Sequence, residues 1–131
     1  MVRRRKDEQG ISTIEVVLVM PAVFIILMLV IQVALAAHAR SVAQAAAQEG
    51  AADARHFDGS SAQAWTTTNK YLDDLGPRIV QHRNVNVQRT RNSATVTVTG
   101  TVMSLVPWIK LSIRETSSGP VERYVPPKAP R

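Results

Sequence analysis

The sequence predicts an α+β fold, in which a long N-terminal transmembrane α-helix continues into a small extracytoplasmic domain with a second helix and a three- to four-stranded antiparallel sheet. An uncharged apolar run extends from Val16 to Ala37, and an alanine-rich stretch of strong helix propensity follows it to Ala54. Valine and threonine then alternate between Ala94 and Met103, which is typical of a strand with one buried face. The predicted boundaries are 1–10 for a leader, 11–54 for the helix, 55–118 for the domain and 119–131 for a proline-rich tail.

The composition limits the classes of protein that fit this chain of 131 residues. It has a net charge of +6 and no cysteine, so disulfides and thiol nucleophiles are excluded. Beyond the leader the basic residues are scattered, with no dense stripe of basic and aromatic side chains, and we expect no nucleic-acid partner. We also expect no metal, no cofactor and no enzymatic activity, because the three histidines lack ligand spacing and no phosphate-binding or nucleophile motif occurs.

The apolar run has the length of a membrane span. Its ~22 residues would form a helix of roughly 33 Å, which matches a hydrocarbon core of about 30 Å. Four basic residues precede it (Arg3, Arg4, Arg5 and Lys6), so the positive-inside rule places the N-terminus in the cytoplasm and the domain outside. Pro21 predicts a kink near the start of the helix. Gln32 is interpreted as a single amide that the membrane tolerates.

Small residues recur four positions apart in the alanine-rich stretch. The two series are Ala39, Ala43, Ala47, Ala51 and Ala46, Gly50, Ala54. This spacing lets helix backbones approach closely. Two interpretations stay open: the stretch contacts helices of other subunits, or it packs on the chain's own domain.

A second helix is predicted from Ala62 to Leu75. The Asp58-Gly59 pair indicates the turn before it, and Ser60 or Ser61 can cap its N-terminus. Gly76-Pro77 ends it. Its apolar stripe is predicted to consist of Trp65, Tyr71, Leu72 and Leu75.

Three strands are predicted, at 85–89, 94–103 and 111–115, with a hairpin turn at 91–93. Valine should face the helices and threonine the solvent, because three strands alone need another layer to pack on. From Gly119 onward the proline-rich tail is expected to be extended or disordered.

The junction between leader and span carries most of the functional information. Glu15 stands at the edge of the apolar run, five residues after Gly10, and a carboxylate there is costly without a partner. Cleavage after Gly10 would free the α-amino group of Ile11, and that group could pair with Glu15 of a neighbouring copy. This arrangement is typical of a prepilin-type signal and indicates a subunit that assembles.

The junction resembles the TadE family of pseudopilins, in the tight-adherence branch of the type IV pilus superfamily. The family pattern is a glycine, four mostly small or apolar residues, a glutamate, and an apolar helix with an early proline. Gly10, Glu15 and Pro21 occupy these positions. Val16 stands where members often carry an aromatic residue, which favours a minor pseudopilin over a major pilin.

The resemblance implies a role for each junction residue. Gly10 would precede the bond cut by a prepilin peptidase, Ile11 would become the N-terminus, and Glu15 would neutralise it in the assembled state. The implied function is that of a minor pseudopilin in Flp-type pilus assembly or a related secretion apparatus. The implied partners are the peptidase, other pilins and pseudopilins, the membrane assembly platform and the lipid bilayer.

Two alternatives remain for the N-terminus. Ala34-Leu35-Ala36 fits the pattern for signal-peptidase cleavage before Ala37, which would release a secreted domain. The span could also be an uncleaved single-pass anchor. The first residue of the mature chain separates these cases.

Overall fold

The computed structural model describes residues 7–128, with side chains from residue 13 onward. The basic cluster at 3–6 and the last proline, Pro130, lie outside the described residues. In chain order the elements are helix α1 (Asp7–Arg55), helix α2 (Ser61–Leu75) and strands β1 (Val80–Arg89), β2 (Ser93–Val102) and β3 (Ser112–Pro120). The strands form one antiparallel sheet in the order β1-β2-β3. The predicted α+β fold is confirmed.

Helix α1 is continuous through both the apolar run and the alanine-rich stretch. Its 49 residues give a length of roughly 74 Å. It begins at Asp7, inside the predicted leader. Residues 13–31 are all exposed, whereas from Gln32 onward buried and half-buried residues recur every three or four positions on one face. Helix α1 therefore has a free N-terminal part and a part that packs on the domain.

The alanine face of α1 packs on the chain's own domain, which is the second of the two interpretations of the small-residue spacing. Ala39, Ala43 and Ala47 are fully buried in a core that also contains Val96 and Val98 of β2. Short side chains let the sheet approach the helix backbone closely. The stretch that resembled a helix–helix contact between subunits is thus used within the subunit.

Helix α2 crosses this face where α1 has a glycine. A Cβ atom on Gly50 would lie 1.9 Å from Thr68 Oγ1 and 3.1 Å from the carbonyl oxygen of Ala64. No side chain fits there without separating the helices. Gly50 therefore sets the distance between α1 and α2.

The ends of α2 follow the sequence signals. Ser60 is the N-cap, and its hydroxyl accepts a hydrogen bond of 3.1 Å from the backbone N–H of Gln63. At the other end the N–H of Gly76 donates to the carbonyl of Leu72 at 3.1 Å. Both contacts satisfy backbone groups that a helix terminus leaves unpaired.

The predicted apolar stripe of α2 is confirmed for Leu72, which is fully buried, and for Tyr71, which packs against the core, but it is wrong for Trp65 and Leu75. Trp65 and Leu75 are about half exposed, at 52% and 49%, and the buried residues are Ala64, Thr68 and Leu72. The reason is that α2 crosses α1 at close range, over alanine and glycine. Only small side chains such as those of Ala64 and Thr68 fit between the two helices at the crossing. The Thr68 hydroxyl is satisfied within α2 by donating to the Ala64 carbonyl at 2.7 Å.

The central strand confirms the valine–threonine pattern. Val96 and Val98 are fully buried, while the hydroxyls of Thr97 and Thr116 lie 3.1 Å apart on the outer face of the sheet. Strand β1 begins at Val80, earlier than predicted, because the pairing is irregular between Gln81 and Asn84 and hides the period from the sequence.

The C-terminal end of α1 is held by hydrogen bonds from β1 and from the segment that follows β3. Arg89 of β1 donates from Nε to the carbonyl of Ala54 at 2.8 Å. Strand β3 extends to Pro120, and the N–H of Glu122 donates to the carbonyl of Arg55 at 2.8 Å. Residues that were predicted to begin the tail are therefore part of the sheet.

Candidate functional site on the N-terminal helix

The junction residues lie in the first turns of α1. Gly10 and Ile11 have helical backbones, and their side chains lie outside the described part. Glu15 follows Ile11 by about one turn, which is roughly 6 Å along the axis, and its side chain is exposed. The two ion pairs of the described residues join His56 to Glu122 and Arg83 to Asp73. The carboxylate of Glu15 is thus open to a partner outside the chain.

Pro21 lies inside α1, in the free part of the helix. Because proline has no backbone N–H, the carbonyl of Val17 lacks its ordinary helical donor. In hydrocarbon such a carbonyl needs cover from a neighbouring group. The kink that Pro21 predicts stays a prediction.

The free part of α1 is apolar on every side. Its most apolar window of 18 residues has a mean hydropathy of 3.0, and none of that window is buried. Residues 13–31 span roughly 28 Å, close to the thickness of a hydrocarbon core. The helix is therefore long and apolar enough to cross a membrane once, and its surface is available to lipid or to other helices.

Gln32 has a role that the sequence analysis missed. It is 2% exposed, its Nε2 donates to the carbonyl of Met103 at 3.2 Å, and its Oε1 accepts from the N–H of Leu105 at 2.8 Å. The interpretation of Gln32 as a merely tolerated amide is wrong. Its position seven residues before Ala39, on the same helix face, was the available signal. Gln32 marks the boundary between the free span and the part bound to the domain.

The histidines lie apart: His38 on α1, His56 just after it and His82 in β1. Within residues 7–128 there is no group of three metal-ligating side chains that could hold an ion. The residues singled out for function all lie on α1.

A comparison with protein families concerns the same helix. Residues 10–52 match the family model described as TadE-like protein. This segment is TadE-like. The resemblance of the junction is thereby confirmed, and the match points to a role in tight-adherence pilus assembly. No curated protein and no solved structure matches the chain significantly.

The TadE-like segment contains both parts of α1. It begins at Gly10, includes Glu15, Pro21 and Gln32, and ends three residues before the C-terminus of the helix. The matched segment is thus a helix that is exposed and apolar in its first part and lined with small residues in its second.

Proposed function

We propose that this chain is a minor pseudopilin of tight-adherence (Flp-type) pilus assembly or of a related secretion apparatus. The observation that carries the proposal is the position of an exposed carboxylate, Glu15, at the edge of a free apolar helix inside the TadE-like segment. A prepilin peptidase would cut after Gly10 on the cytoplasmic side and leave Ile11 as the N-terminus. Other pilins and pseudopilins, and the membrane assembly platform, would then be the partners.

The spacing of the junction suggests how two subunits would be aligned. One helical turn separates Ile11 from Glu15, so a stagger of about 6 Å between parallel helices brings the amine of one copy level with the carboxylate of another. In low dielectric the attraction of such a pair is strong, but desolvation offsets much of it. The pair would therefore set the register between subunits more than it would add affinity.

The packing of the domain favours a mature chain that keeps its span. A signal-peptidase cut after Ala36 would remove Gln32 and leave the Met103 carbonyl and the Leu105 N–H without their partner. It would also remove Leu35 and Ala36, which pack against the core of the domain. Cleavage after Gly10 leaves all of these contacts intact.

The experiment co-expresses the chain with a prepilin peptidase and its pilin partners. The mass of the mature wild-type chain should correspond to a start at Ile11, and Gly10→Val should keep its leader because a branched side chain obstructs a cleft that holds the backbone closely. Glu15→Gln should insert and be processed normally, yet fail to co-purify with the pilins. Glu49→Gln is the matched control, because Glu49 is exposed on the same helix beyond the span.

Two results would contradict the proposal at different steps. A mature chain that starts at a residue other than Ile11 would refute the processing site. Normal processing of Glu15→Gln, with pilins recovered at the wild-type level, would refute the pairing alone.

A further inference from the structure

The connection between β2 and β3 exposes an unusually apolar surface. This segment, residues 103–111, is here named the tryptophan loop. Trp108 is 83% exposed and Leu105 is 40% exposed. A large aromatic side chain that stands this free of its own domain indicates a surface that something apolar covers.

The loop has a fixed shape. The N–H of Ile109 donates to the carbonyl of Val106 at 3.1 Å, which closes a turn with Pro107 in its second position. The hydroxyl of Ser104 lies 2.6 Å from the Val106 carbonyl oxygen and 2.5 Å from that of Ile109. Trp108 is therefore held outward at the tip of a turn, and the carbonyls of Val106 and Ile109 at the two ends of the turn have donors.

Gln32 fixes where the loop lies along α1. Its amide bonds to the backbone of Met103 and Leu105 on either side of Ser104. Side chains of a helix tilt towards its N-terminus, so these contacts lie level with Gln32 or nearer to the start of the helix. The loop thus lies beside the apolar run itself and not beyond its end.

The position of the loop along α1 predicts how deep the loop would lie in a bilayer. If Glu15 marks the inner edge of a hydrocarbon core about 30 Å thick, then Gln32, 17 residues later, lies about 25 Å across it. The loop would lie in the outermost few ångströms of hydrocarbon, against the headgroups. Tryptophan is enriched at this level in membrane proteins, because its ring is apolar and its indole N–H can bond to headgroup oxygens.

The polar groups of the loop suit such a place. In hydrocarbon a backbone carbonyl or N–H without a partner costs several kcal/mol. Gln32 pairs with the carbonyl of Met103 and the N–H of Leu105, and the hydroxyl of Ser104 donates to the carbonyl of Val106 or of Ile109. Lys110 is exposed in the loop, and Arg78 is exposed next to Ile79, whose carbonyl accepts from the N–H of Met103 at the start of the loop, so both could reach anionic headgroups.

We propose that the tryptophan loop inserts into the outer boundary of the bilayer that α1 crosses, with Trp108 as its interfacial anchor and lipid as its partner. The level of the loop at the edge of the hydrocarbon, where tryptophan is enriched, favours lipid as its partner. The inference rests on α1 being a membrane span, as the proposed function requires. The loop and the helix would then fix how the domain stands on the membrane.

The test uses the two tryptophans of the chain in the full-length protein, reconstituted in phosphatidylcholine–phosphatidylglycerol vesicles at high lipid-to-protein ratio. Trp65→Phe leaves Trp108 as the sole tryptophan, and Trp108→Phe leaves Trp65. Trp65 is the matched control because it lies far from the proposed membrane boundary. Its neighbour Ala64 contacts α1 at Gly50, which is about 27 Å further along the helix than Gln32. Emission is quenched with lipids brominated near the headgroup and, separately, with aqueous iodide.

We expect brominated lipid to quench Trp108 several-fold more than Trp65, and iodide to show the reverse order. If the vesicles carry the protein but iodide quenches both tryptophans equally, the loop proposal is refuted and the membrane span stands. A Trp108 shielded from both quenchers would mean that protein covers it, and would also refute the proposal. If the protein does not float with the vesicles, α1 is not a membrane span, and the proposed function is refuted as well.

Discussion

At the residue scale, two side chains attach α1 to the domain, one at each end of the contact. Gln32 attaches the helix at the apolar run, and Arg89 attaches it at its C-terminus. Arg89 donates to the carbonyls of Ala54 at 2.8 Å and His56 at 3.2 Å. The last carbonyls of a helix have no donor within it and carry the negative end of its dipole. A guanidinium from β1 therefore caps α1 from outside.

Replacing Arg89 by methionine should destabilise the domain. The variant keeps much of the aliphatic stem but leaves the helix carbonyls without their charged donor, and we expect a loss of about 1–3 kcal/mol. Thermal unfolding of the full chain in detergent, followed by far-ultraviolet circular dichroism, measures this loss. Arg91→Met is the matched control, since Arg91 is exposed in the hairpin turn. Equal melting temperatures for the two variants would show that Arg89 does not hold the helix end.

At the element scale, the sequence predicted correctly the features that depend on residues close together in the chain. The alternation along β2 and the Ser60 cap depend on neighbours in sequence, and both were found where predicted. The buried face of α2 depends on what α1 presents to it, so Trp65 was assigned to the wrong side. The partners of Gln32 lie 71 and 73 residues away, and no local pattern could have named them.

The crossing of α1 and α2 depends on the absence of a side chain at position 50. Alanine there improves helix propensity by up to about 1 kcal/mol in an exposed helix. Its Cβ, however, would lie 1.9 Å from Thr68 Oγ1, so the helices must move apart. The steric effect should exceed the gain in propensity, because separation opens the alanine core along the whole contact.

Gly50→Ala should therefore lower the stability of the full chain, by about 1–3 kcal/mol as overpacked cores do. The same substitution should cost less in a Thr68→Ala background, because the atom that clashes is then absent. Chemical denaturation of both single variants and the double variant gives the coupling. Gln48→Ala, on an exposed position of the same helix, controls for propensity. Additive effects of the two substitutions would contradict a direct clash.

At the scale of the whole molecule, α1 has two different surfaces: one part is covered by the domain, and the apolar span is exposed. The alanine face is covered by the chain's own sheet and by α2, so it offers nothing to a second subunit. The span at 13–31 carries Glu15 and is exposed at every residue. The surface of α1 that stays exposed is thus its apolar part, while the small domain completes its own core.

Photo-crosslinking at the two phenylalanines of the chain tests this division. Phe24 in the span and Phe57 at the far end of the domain are equally free, at 66% and 64% exposure, so replacing either with p-benzoylphenylalanine gives matched probes. In assembled material we expect covalent products with pilin partners from position 24, and several-fold fewer from position 57. Glu15→Gln should abolish the products from position 24 without removing the protein from the membrane, because pairing sets the register of neighbouring helices. Products from position 57 alone would mean that subunits meet through their domains, and the assembly surface would then have to be sought outside the span.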